Sequence, residues 1–315
     1  MIRTPLCDLV GIKYPIVQGG MAWVGTAELA AAISNAGGLG VIGGGNAPTE
    51  EIAQEIRLAR ELTDKPFGLN IPLAISEYAD EIVDLCIEEG MRIVVLGAWR
   101  PGNHITRLKE AGITVIPVIA SVALAKRLER QGADALIAEG MESGGHIGDI
   151  ATMPLVPQVV DAVDVPVIAA GGFADGRGLV AALALGAQGI QMGTRFICTT
   201  ECTTHENYKQ AILKARDRST TTSGHSLGHP VRALKNPMVH EFQQLERRGI
   251  SEAEIIEFGT GKLRLAAIKG DITNGSVMAG QIAGMINDIV PTKELIERIV
   301  AEAEEIIARL QGVVS

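Results

Sequence analysis

The chain has 315 residues, of which 47% are hydrophobic, 21% charged and 3% aromatic, and its formal net charge is −9. This composition excludes a disordered chain, and the acidic balance argues against a protein that coats nucleic acid or an anionic membrane, since both attract clustered Lys and Arg. The first residues, MIRTPLCDLVGIKYP, lack a secretory signal pattern, and no apolar run is long enough to span a bilayer. We therefore expect a cytoplasmic protein that acts on a small molecule, with neither nucleic acid nor a membrane as partner.

A short apolar run, a glycine-rich or polar loop and an amphipathic stretch follow one another eight times along the chain. The apolar runs predict strands at 14–19, 38–42, 67–72, 92–96, 114–119, 133–138, 165–170 and 188–192. Stretches such as TAELAAAISNAG, PTEEIAQEIRLARELT and LVAALALGA predict the helices between them. Because strands that alternate with helices form parallel sheets, and eight such units close a barrel, the predicted fold class is α/β, a (β/α)8 TIM barrel.

The regular pattern ends after the eighth predicted strand. The following residues are polar and contain GHSLGHPVRALKNP, with its turn-forming glycines and prolines, and we interpret them as an inserted lid or substrate segment. Beyond it, the sequence predicts a small-residue helix over 275–289 and a charged amphipathic helix over 292–310. The predicted organisation is thus a barrel built from 1–199 and 275–315, and a lid built from 200–274.

Glycines follow the seventh and eighth predicted strands, the two positions where barrel enzymes commonly bind a phosphate. Gly171 and Gly172 come directly after the seventh strand, ahead of a helix whose free N–H groups are expected to point at an anion. Gly193 and Thr194 follow the eighth strand and add backbone amides and a hydroxyl. The alternative is that these glycines only make tight turns. Their paired placement favours a phosphate-bearing cofactor.

Small and apolar residues follow the first two predicted strands, at the same end of the barrel, where they would let a flat ring lie close to the backbone. The candidate ring contacts are Gly20, Met21 and Ala22 after the first strand, Asn46 after the second and Asn70 in the third. Asn70 lies inside an otherwise hydrophobic strand, so its amide needs a partner. That partner is either the edge of the ring or a neighbouring backbone group.

His146 is the leading candidate for catalysis. It lies after the sixth predicted strand in AEGMESGGHIG, where Gly144 and Gly145 precede it and would let it reach over a bound ring. An imidazole can donate or accept a proton near neutral pH. The alternative is a loop histidine that only braces its turn, but its position on the functional face of a barrel favours catalysis.

Two other clusters do not indicate a site. His225 and His229 have a metal-like spacing, but they lie in a glycine- and proline-bearing segment without a neighbouring HExxH glutamate, so we expect no metal. Cys198 and Cys202 have no neighbouring histidine and are interpreted as buried thiols, not nucleophiles. The chain also lacks the Walker lysine loop of nucleotide-triphosphate-binding folds.

Seven motifs resemble those of the flavin-dependent enoyl-acyl-carrier-protein reductase II family, a close relative of the nitronate monooxygenases. They are YPIVQGGMAWV, SNAGGLGVIGGGNAP, DKPFGLNI, AEGMESGGHIG, PVIAAGGFADGRG, QMGTRF and GSVMAGQIAG, and they span nearly the whole chain. The resemblance implies an FMN-bound barrel, with the phosphate near Gly171, Gly172, Gly193 and Thr194. His146 takes the place of the active histidine.

The resemblance also extends the list of expected cofactor contacts. The added residues are Glu139, Gly144, Gly145, Gln191, Met278, Ala279, Gly280 and Gln281. The last four, from the SVMAGQ stretch, are implied by the resemblance alone, because periodicity gives no reason to place them at the site.

The implied reaction reduces a trans-2-enoyl thioester with FMN as cofactor and NADH or NADPH as reductant. His146 either protonates the α-carbon or hydrogen-bonds the thioester oxygen. Arg232 and Lys235, with the basic residues at 214–218, either receive an acyl carrier protein or form a solvated surface. The alternative reactions are oxidation of alkyl nitronates by dioxygen and, from another class, phosphate-ligand binding without turnover. A homodimer is the expected assembly.

Overall fold

Eight parallel strands surround the centre of the molecule, each within a few residues of its predicted position. The computed structural model describes residues 2–73, 76–97 and 103–313. In chain order its strands are β1 (Ile16–Gln18), β2 (Gly40–Gly43), β3 (Phe67–Pro72), β4 (Ile93–Gly97), β5 (Thr114–Ile119), β6 (Leu136–Glu139), β7 (Gly145–His146), β8 (Val167–Ala170), β9 (Gly189–Met192), β10 (Thr220–Ser223) and β11 (Val231–Leu234). All except β7, β10 and β11 belong to the central sheet.

The central sheet closes on itself. Its strand order is β1-β9-β8-β6-β5-β4-β3-β2, with every pair parallel. A parallel bridge between Val17 and Leu39 brings β1 against β2 and completes the circle. The fold is therefore the predicted (β/α)8 TIM barrel.

Helices between the strands cover the outside of the barrel, as the amphipathic stretches predict, and four further helices lie within 200–274. They are α1 (Pro5–Val10), α2 (Ala27–Asn35), α3 (Thr49–Leu62), α4 (Ala79–Glu88), α5 (His104–Glu110), α6 (Val122–Arg130), α7 (Thr152–Val160), α8 (Gly176–Ala184), α9 (Thr194–Ile197), α10 (Glu206–Leu213), α11 (Pro237–Arg247), α12 (Glu252–Gly259), α13 (Lys262–Lys269) and α14 (Thr292–Gln311). The last of these confirms the predicted C-terminal helix and packs against α8 and α2.

The alternation of strand side chains creates two apolar layers. One fills the barrel and includes Val41, Val95, Ile137 and Ile168, and the other lies between the strands and the helices. Each fully buried aliphatic side chain of this kind contributes about 1.5–3 kcal/mol. Among the described residues, the barrel interior is thus a packed core, so a ligand of the barrel is expected at one of its ends.

Residues 200–274 form α10 to α13 and the antiparallel pair of β10 and β11. The pair joins the barrel mouth, because β11 is also antiparallel to β7, with Val231 opposite His146. A second contact connects α13 to the loop after β1, where the Arg264 guanidinium lies 4.7 Å from the centre of the Trp23 ring. Whether this segment acts as a lid stays a prediction.

The prediction of a small-residue helix over 275–289 is wrong. The structure has a short 3₁₀ helix, Gln281–Met285, and no α-helix in this stretch. Gly275, Gly280 and Gly284 weaken helix formation, each by about 1 kcal/mol relative to alanine. Tertiary hydrogen bonds hold the backbone instead, including Tyr208 Oη donating to the Met278 carbonyl at 2.8 Å.

Candidate active site

The carboxyl ends of the barrel strands bring most of the predicted site residues to one mouth of the barrel. Glu139 ends β6, the glycines at 171 and 172 follow β8, and Gly193 follows β9. The strands β6, β8 and β9 are neighbours, with Glu139 paired to Ala170 and Ala170 paired to Gln191. Residues paired across parallel strands face the same side of a sheet. Because Ala170 belongs to the layer inside the barrel, Glu139 and Gln191 also face the interior.

A cradle of backbone amides lies at the ends of β8 and β9. Gly171 and Gly172 adopt left-handed conformations, with φ of 93° and 86°, which other residues rarely adopt. In the described part of the chain, the N–H groups of Gly171, Gly172 and Gly193 donate to no protein acceptor. Thr152 Oγ1 lies 2.9 Å from the Gly171 carbonyl oxygen and 2.8 Å from Glu142 Oε2, two acceptors that share its single proton, so Thr152 packs directly beneath that peptide. This geometry suits an anion that brings several acceptor oxygens.

The first turn of α8 does not belong to this cradle, and the expectation that its N–H groups face an anion is wrong. The Asp175 side chain accepts hydrogen bonds from Arg177 N and Gly178 N at 3.0 and 3.4 Å. Glu302, on α14, accepts from Gly176 N at 2.8 Å. Because carboxylates of the protein already occupy this helix end, the loop amides are the groups that remain for a ligand.

The SVMAGQ stretch borders the same cradle. Gly280 N donates to Thr194 Oγ1 at 2.9 Å, which leaves the threonine hydroxyl proton for another acceptor. Gln281 N donates to the Glu142 carbonyl at 2.9 Å. A Cβ atom at Gly144 would lie 2.7 Å from the carbonyl carbon of Ala279, so the GGH loop packs directly on this stretch. Met278, the first of the four residues in this stretch that are expected to contact the cofactor, precedes Ala279 on the same extended segment.

The loops after β1 and β2 and the strand β3 interlock on the other side of the mouth. A Cβ atom at Gly20 would lie 2.2 Å from Asn70 Cγ, and one at Gly193 would lie 3.3 Å from Met21 Sδ. Met21 therefore reaches from the first barrel strand to the last. A Cβ atom at Gly45, after β2, would lie 2.8 Å from Ala22 Cβ.

Two asparagines predicted at the ring have different surroundings. Asn70 is buried, and its Nδ2 donates to the Val95 carbonyl at 3.3 Å, so a neighbouring backbone group satisfies one side of the amide. Asn46 is exposed, and its Oδ1 accepts from Glu77 N at 2.9 Å. The side chain of Asn46 thus links two loops, whereas Asn70 lies in the wall of the mouth.

Glu139 and Gln191 supply polar groups inside the mouth. Burial raises the pKa of Glu139 to about 8, so its carboxyl is protonated at neutral pH and can donate a hydrogen bond. Gln191 Oε1 is buried and has no donor among the described residues. A buried acceptor without a donor is costly, and a bound ligand with an N–H group would satisfy it. The cradle and these two groups together fit a flat heterocycle that carries a phosphate.

His146 lies on β7 at the entrance to this mouth. The side chain is half-buried, and burial, together with the nearby His229 imidazole, lowers the pKa of His146. The ring is therefore mainly neutral at neutral pH, with one nitrogen as donor and the other as acceptor. It can hydrogen-bond a substrate oxygen without carrying a positive charge.

The cysteines do not belong to the site. All four are free and buried. Burial raises the pKa of Cys198 to about 12, so its thiolate form is suppressed. This agrees with the interpretation of Cys198 and Cys202 as buried thiols.

Within the described ranges, no helix combines the length and apolar character needed to cross a membrane.

A glycine-lined barrel mouth with an internal carboxyl and a histidine is typical of cofactor-dependent barrel enzymes, and comparison with known proteins identifies the class. The sequence profile of the nitronate monooxygenase family matches residues 3–302. The chain belongs to this family and is an FMN-dependent oxidoreductase. The sequence-based hypothesis of a phosphate-binding barrel without turnover is thereby set aside.

Three similar proteins bear on the reaction. The structure of FabK from Thermotoga maritima is 49% identical and has a TM-score of 0.97, with 99% of this chain and 100% of that chain covered. A Mycobacterium tuberculosis protein named (3aS,4S,5R,7aS)-5-hydroxy-7a-methyl-1-oxo-octahydro-1H-indene-4-carboxyl-CoA dehydrogenase is 38% identical, with 96% of each chain covered. A probable nitronate monooxygenase of Staphylococcus saprophyticus is 35% identical, with 98% and 99% covered.

Proposed function

We propose that this protein reduces trans-2-enoyl thioesters to acyl thioesters in cytoplasmic fatty acid synthesis, with NADH or NADPH as reductant. The observation that carries the proposal is the 49% identity with FabK, an enoyl-acyl-carrier-protein reductase II, over almost the full length of both chains. The identities with the dehydrogenase and with the staphylococcal relative are lower, at 38% and 35%. The CoA ester in the dehydrogenase's name agrees with a thioester substrate.

The residues at the barrel mouth would hold FMN by its two ends. The amides of Gly171, Gly172 and Gly193 and the hydroxyl of Thr194 would bind the phosphate. Glu139 and Gln191 offer a donor and an acceptor to the polar edge of the ring. When bound, FMN supplies the transfer of a hydride between a nicotinamide and carbon.

The other expected contacts would enclose the ring and are proposed on the resemblance and on their position around the mouth. They are Gly20, Met21, Ala22, Asn46, Asn70, Gly144, Gly145, Met278, Ala279, Gly280 and Gln281.

His146 would act on the thioester end of the substrate. When the β-carbon receives a hydride, negative charge develops on the thioester oxygen, and a hydrogen bond from the neutral imidazole stabilises it. Donors of this kind contribute about 3–4 kcal/mol to a transition state. The lowered pKa of His146 favours this role over protonation of the α-carbon, because the charged imidazolium is the minor form at neutral pH. Each cycle consumes one NAD(P)H and one proton, and the carbon–carbon double bond becomes single.

Oxidation of alkyl nitronates by dioxygen is the second candidate. The family match and the staphylococcal relative's name favour it. In this reaction the substrate itself reduces the flavin, so NAD(P)H is not required. His146 would then hydrogen-bond the nitronate oxygen.

Parallel assays on the flavin-containing protein separate the two reactions. We expect crotonyl-CoA to be reduced anaerobically with NADH or NADPH, with one nicotinamide oxidised per butyryl-CoA formed. An alkyl nitronate in air, assayed by oxygen uptake without nicotinamide, should give little turnover. Nitronate-dependent oxygen uptake without any thioester reduction would contradict the proposal and establish the second candidate.

A further inference from the structure

A second cavity lies outside the barrel mouth. Its volume is about 350 Å³, and its walls come from the end of α10, the turn that follows it, the end of β11 with the two residues after it, Ile272, and Val277 in the SVMAGQ stretch. The apolar part of the lining includes Leu234, Ile272 and Val277. The proposed reduction assigns no role to this cavity.

The polar part of the lining is basic. Lys214, Arg218 and Lys235 all contribute to the wall, in a chain whose net charge is −9. Lys235 Nζ donates to the Arg218 carbonyl at 2.6 Å and so braces the turn. Among the described residues, neither Lys214 nor Arg218 forms an ion pair with a carboxylate. Two cationic side chains are therefore available to a ligand.

Negative groups near the cavity do not cancel this charge. Asp217 is exposed in the turn beside Arg216, and these two opposite charges offset each other. Asp271 precedes the wall residue Ile272; hydrogen bonds from Asn274 N and Thr273 N lower the pKa of its carboxyl, so it stays ionised and offsets one of the three positive charges of the wall. The carboxyl end of α10 adds about half a negative charge, which Lys214 at its C-cap opposes. The cavity remains positive.

The cavity is within reach of His146. On β11, Val231 pairs with His146, and Leu234, three residues further on and on the opposite face of the strand, lines the cavity. The two positions lie about 10 Å apart along the strand at roughly 3.3 Å per residue. The same strand thus connects the predicted catalytic histidine to the basic wall. An extended pantetheine arm is long enough to span this separation.

We propose that this cavity binds the phosphate of the substrate's phosphopantetheine arm through Lys214 and Arg218, while the thioester lies at His146. The inference rests on the proposed thioester reduction and extends it to the recognition of the substrate's handle, the pantetheine-containing group that carries the acyl chain. A phosphate paired with Lys and Arg forms charge-assisted hydrogen bonds, and the apolar wall suits the methylene groups beside it. Coenzyme A and an acyl carrier protein both present this phosphate.

Crotonyl thioesters that differ only in the handle test the proposal. The series is crotonyl-pantetheine, crotonyl-4′-phosphopantetheine, crotonyl-CoA and a crotonyl carrier protein. In the wild-type enzyme, KM should fall about tenfold or more when the phosphate is added to pantetheine. In Lys214→Gln combined with Arg218→Gln, KM for the phosphorylated handles should rise about tenfold. The kcat values, and the KM for crotonyl-pantetheine, should not change.

The matched control is Lys126→Gln combined with Arg127→Gln, two basic residues on α6 outside the barrel. It should leave every KM unchanged, which separates a local effect from a change in net charge. An increase in KM with CoA but not with the carrier protein assigns the cavity to the free coenzyme, and the reverse assigns it to the carrier. An equal rise for pantetheine and phosphopantetheine, no rise at all, or a rise in the KM for NADH alone would overturn the proposal.

Calorimetric binding of 4′-phosphopantetheine to the flavin-containing protein separates this proposal from the proposed reaction. The dissociation constant should rise about tenfold in the double variant and not in the control. If the wild-type protein binds the compound but reduces no thioester, the proposed reaction fails and the site stands. If it reduces crotonyl-pantetheine but the double variant binds the compound as wild type does, the site fails alone.

Discussion

At the scale of single residues, the site combines groups whose chemistry the sequence names with groups whose state depends on the fold. His146 is identifiable from its GGH motif, but its neutral form follows from burial and from His229, which lies far away in the sequence. Glu139 gives no signal by itself, because a glutamate at the end of a strand is ordinary. Only its desolvation inside the barrel raises its pKa to about 8.

Replacement of His146 by Gln tests its role. We expect the variant to retain FMN, because the residue lies at the entrance and not in the amide cradle, and kcat to fall about 100-fold or more, as for loss of one donor to a developing oxyanion. The measurement is steady-state NADH oxidation with crotonyl-CoA, together with the flavin content of the purified protein.

His225→Gln is the matched control, since His225 is exposed and its Nε2 lies 2.9 Å from Thr222 Oγ1. It should keep the wild-type rate. An H146Q enzyme with an undiminished kcat would remove this histidine from the mechanism.

At the scale of helices and strands, the barrel was accessible from the sequence because each strand reads as a continuous apolar run buried on both faces. The glycines after β8 and β9 were accessible too, since general barrel geometry assigns phosphates to those loops. Which of the nearby N–H groups remain free to bind a phosphate was not accessible from the sequence. Only the fold shows that the carboxylate of Glu302, 126 residues after Gly176, accepts the hydrogen bond from the first N–H of α8.

The segment around Met278 is the clearest failure of pattern reading at this scale. Its small residues satisfy helical periodicity, yet Thr194, Glu142 and Tyr208 hold its backbone through tertiary hydrogen bonds. No local pattern reports such partners. The run of glycine and alanine in GSVMAGQIAG was the available signal, because small residues permit close approach to other backbones.

The contact between α14 and α8 gives a stability prediction. Glu302→Ala removes the acceptor from the buried Gly176 N–H, and we expect the free energy of unfolding to fall by about 1 kcal/mol. Urea denaturation followed by circular dichroism measures the change.

Glu305→Ala, an exposed position on the same helix, should change the free energy of unfolding much less. Flavin content should be the same in both variants, because the first turn of α8 lies outside the cradle. Loss of FMN in the Glu302 variant would mean that this helix end contributes to phosphate binding after all.

At the scale of the whole molecule, the barrel supplies rigid strand ends, and the residues between β9 and α14 add a wall over them. The antiparallel pairing of β11 with β7 fixes the GGH motif to this wall. The division into a barrel and a lid at 200–274, and a homodimer as the assembly, stay predictions. Both concern movements or contacts between bodies, which residue patterns within one chain do not encode.

The proposed function depends most on the backbone amides at the ends of β8 and β9, which would hold FMN by its phosphate. The most direct test of this role is the affinity of the flavin-stripped protein for FMN compared with riboflavin, which lacks that phosphate, measured by fluorescence titration. We expect FMN to bind at least about 100-fold more tightly, since a hydrogen bond to a charged group contributes about 1.5–3 kcal/mol and even two of the four proposed donors would give roughly 3–6 kcal/mol. Equal affinities for the two flavins would contradict this role.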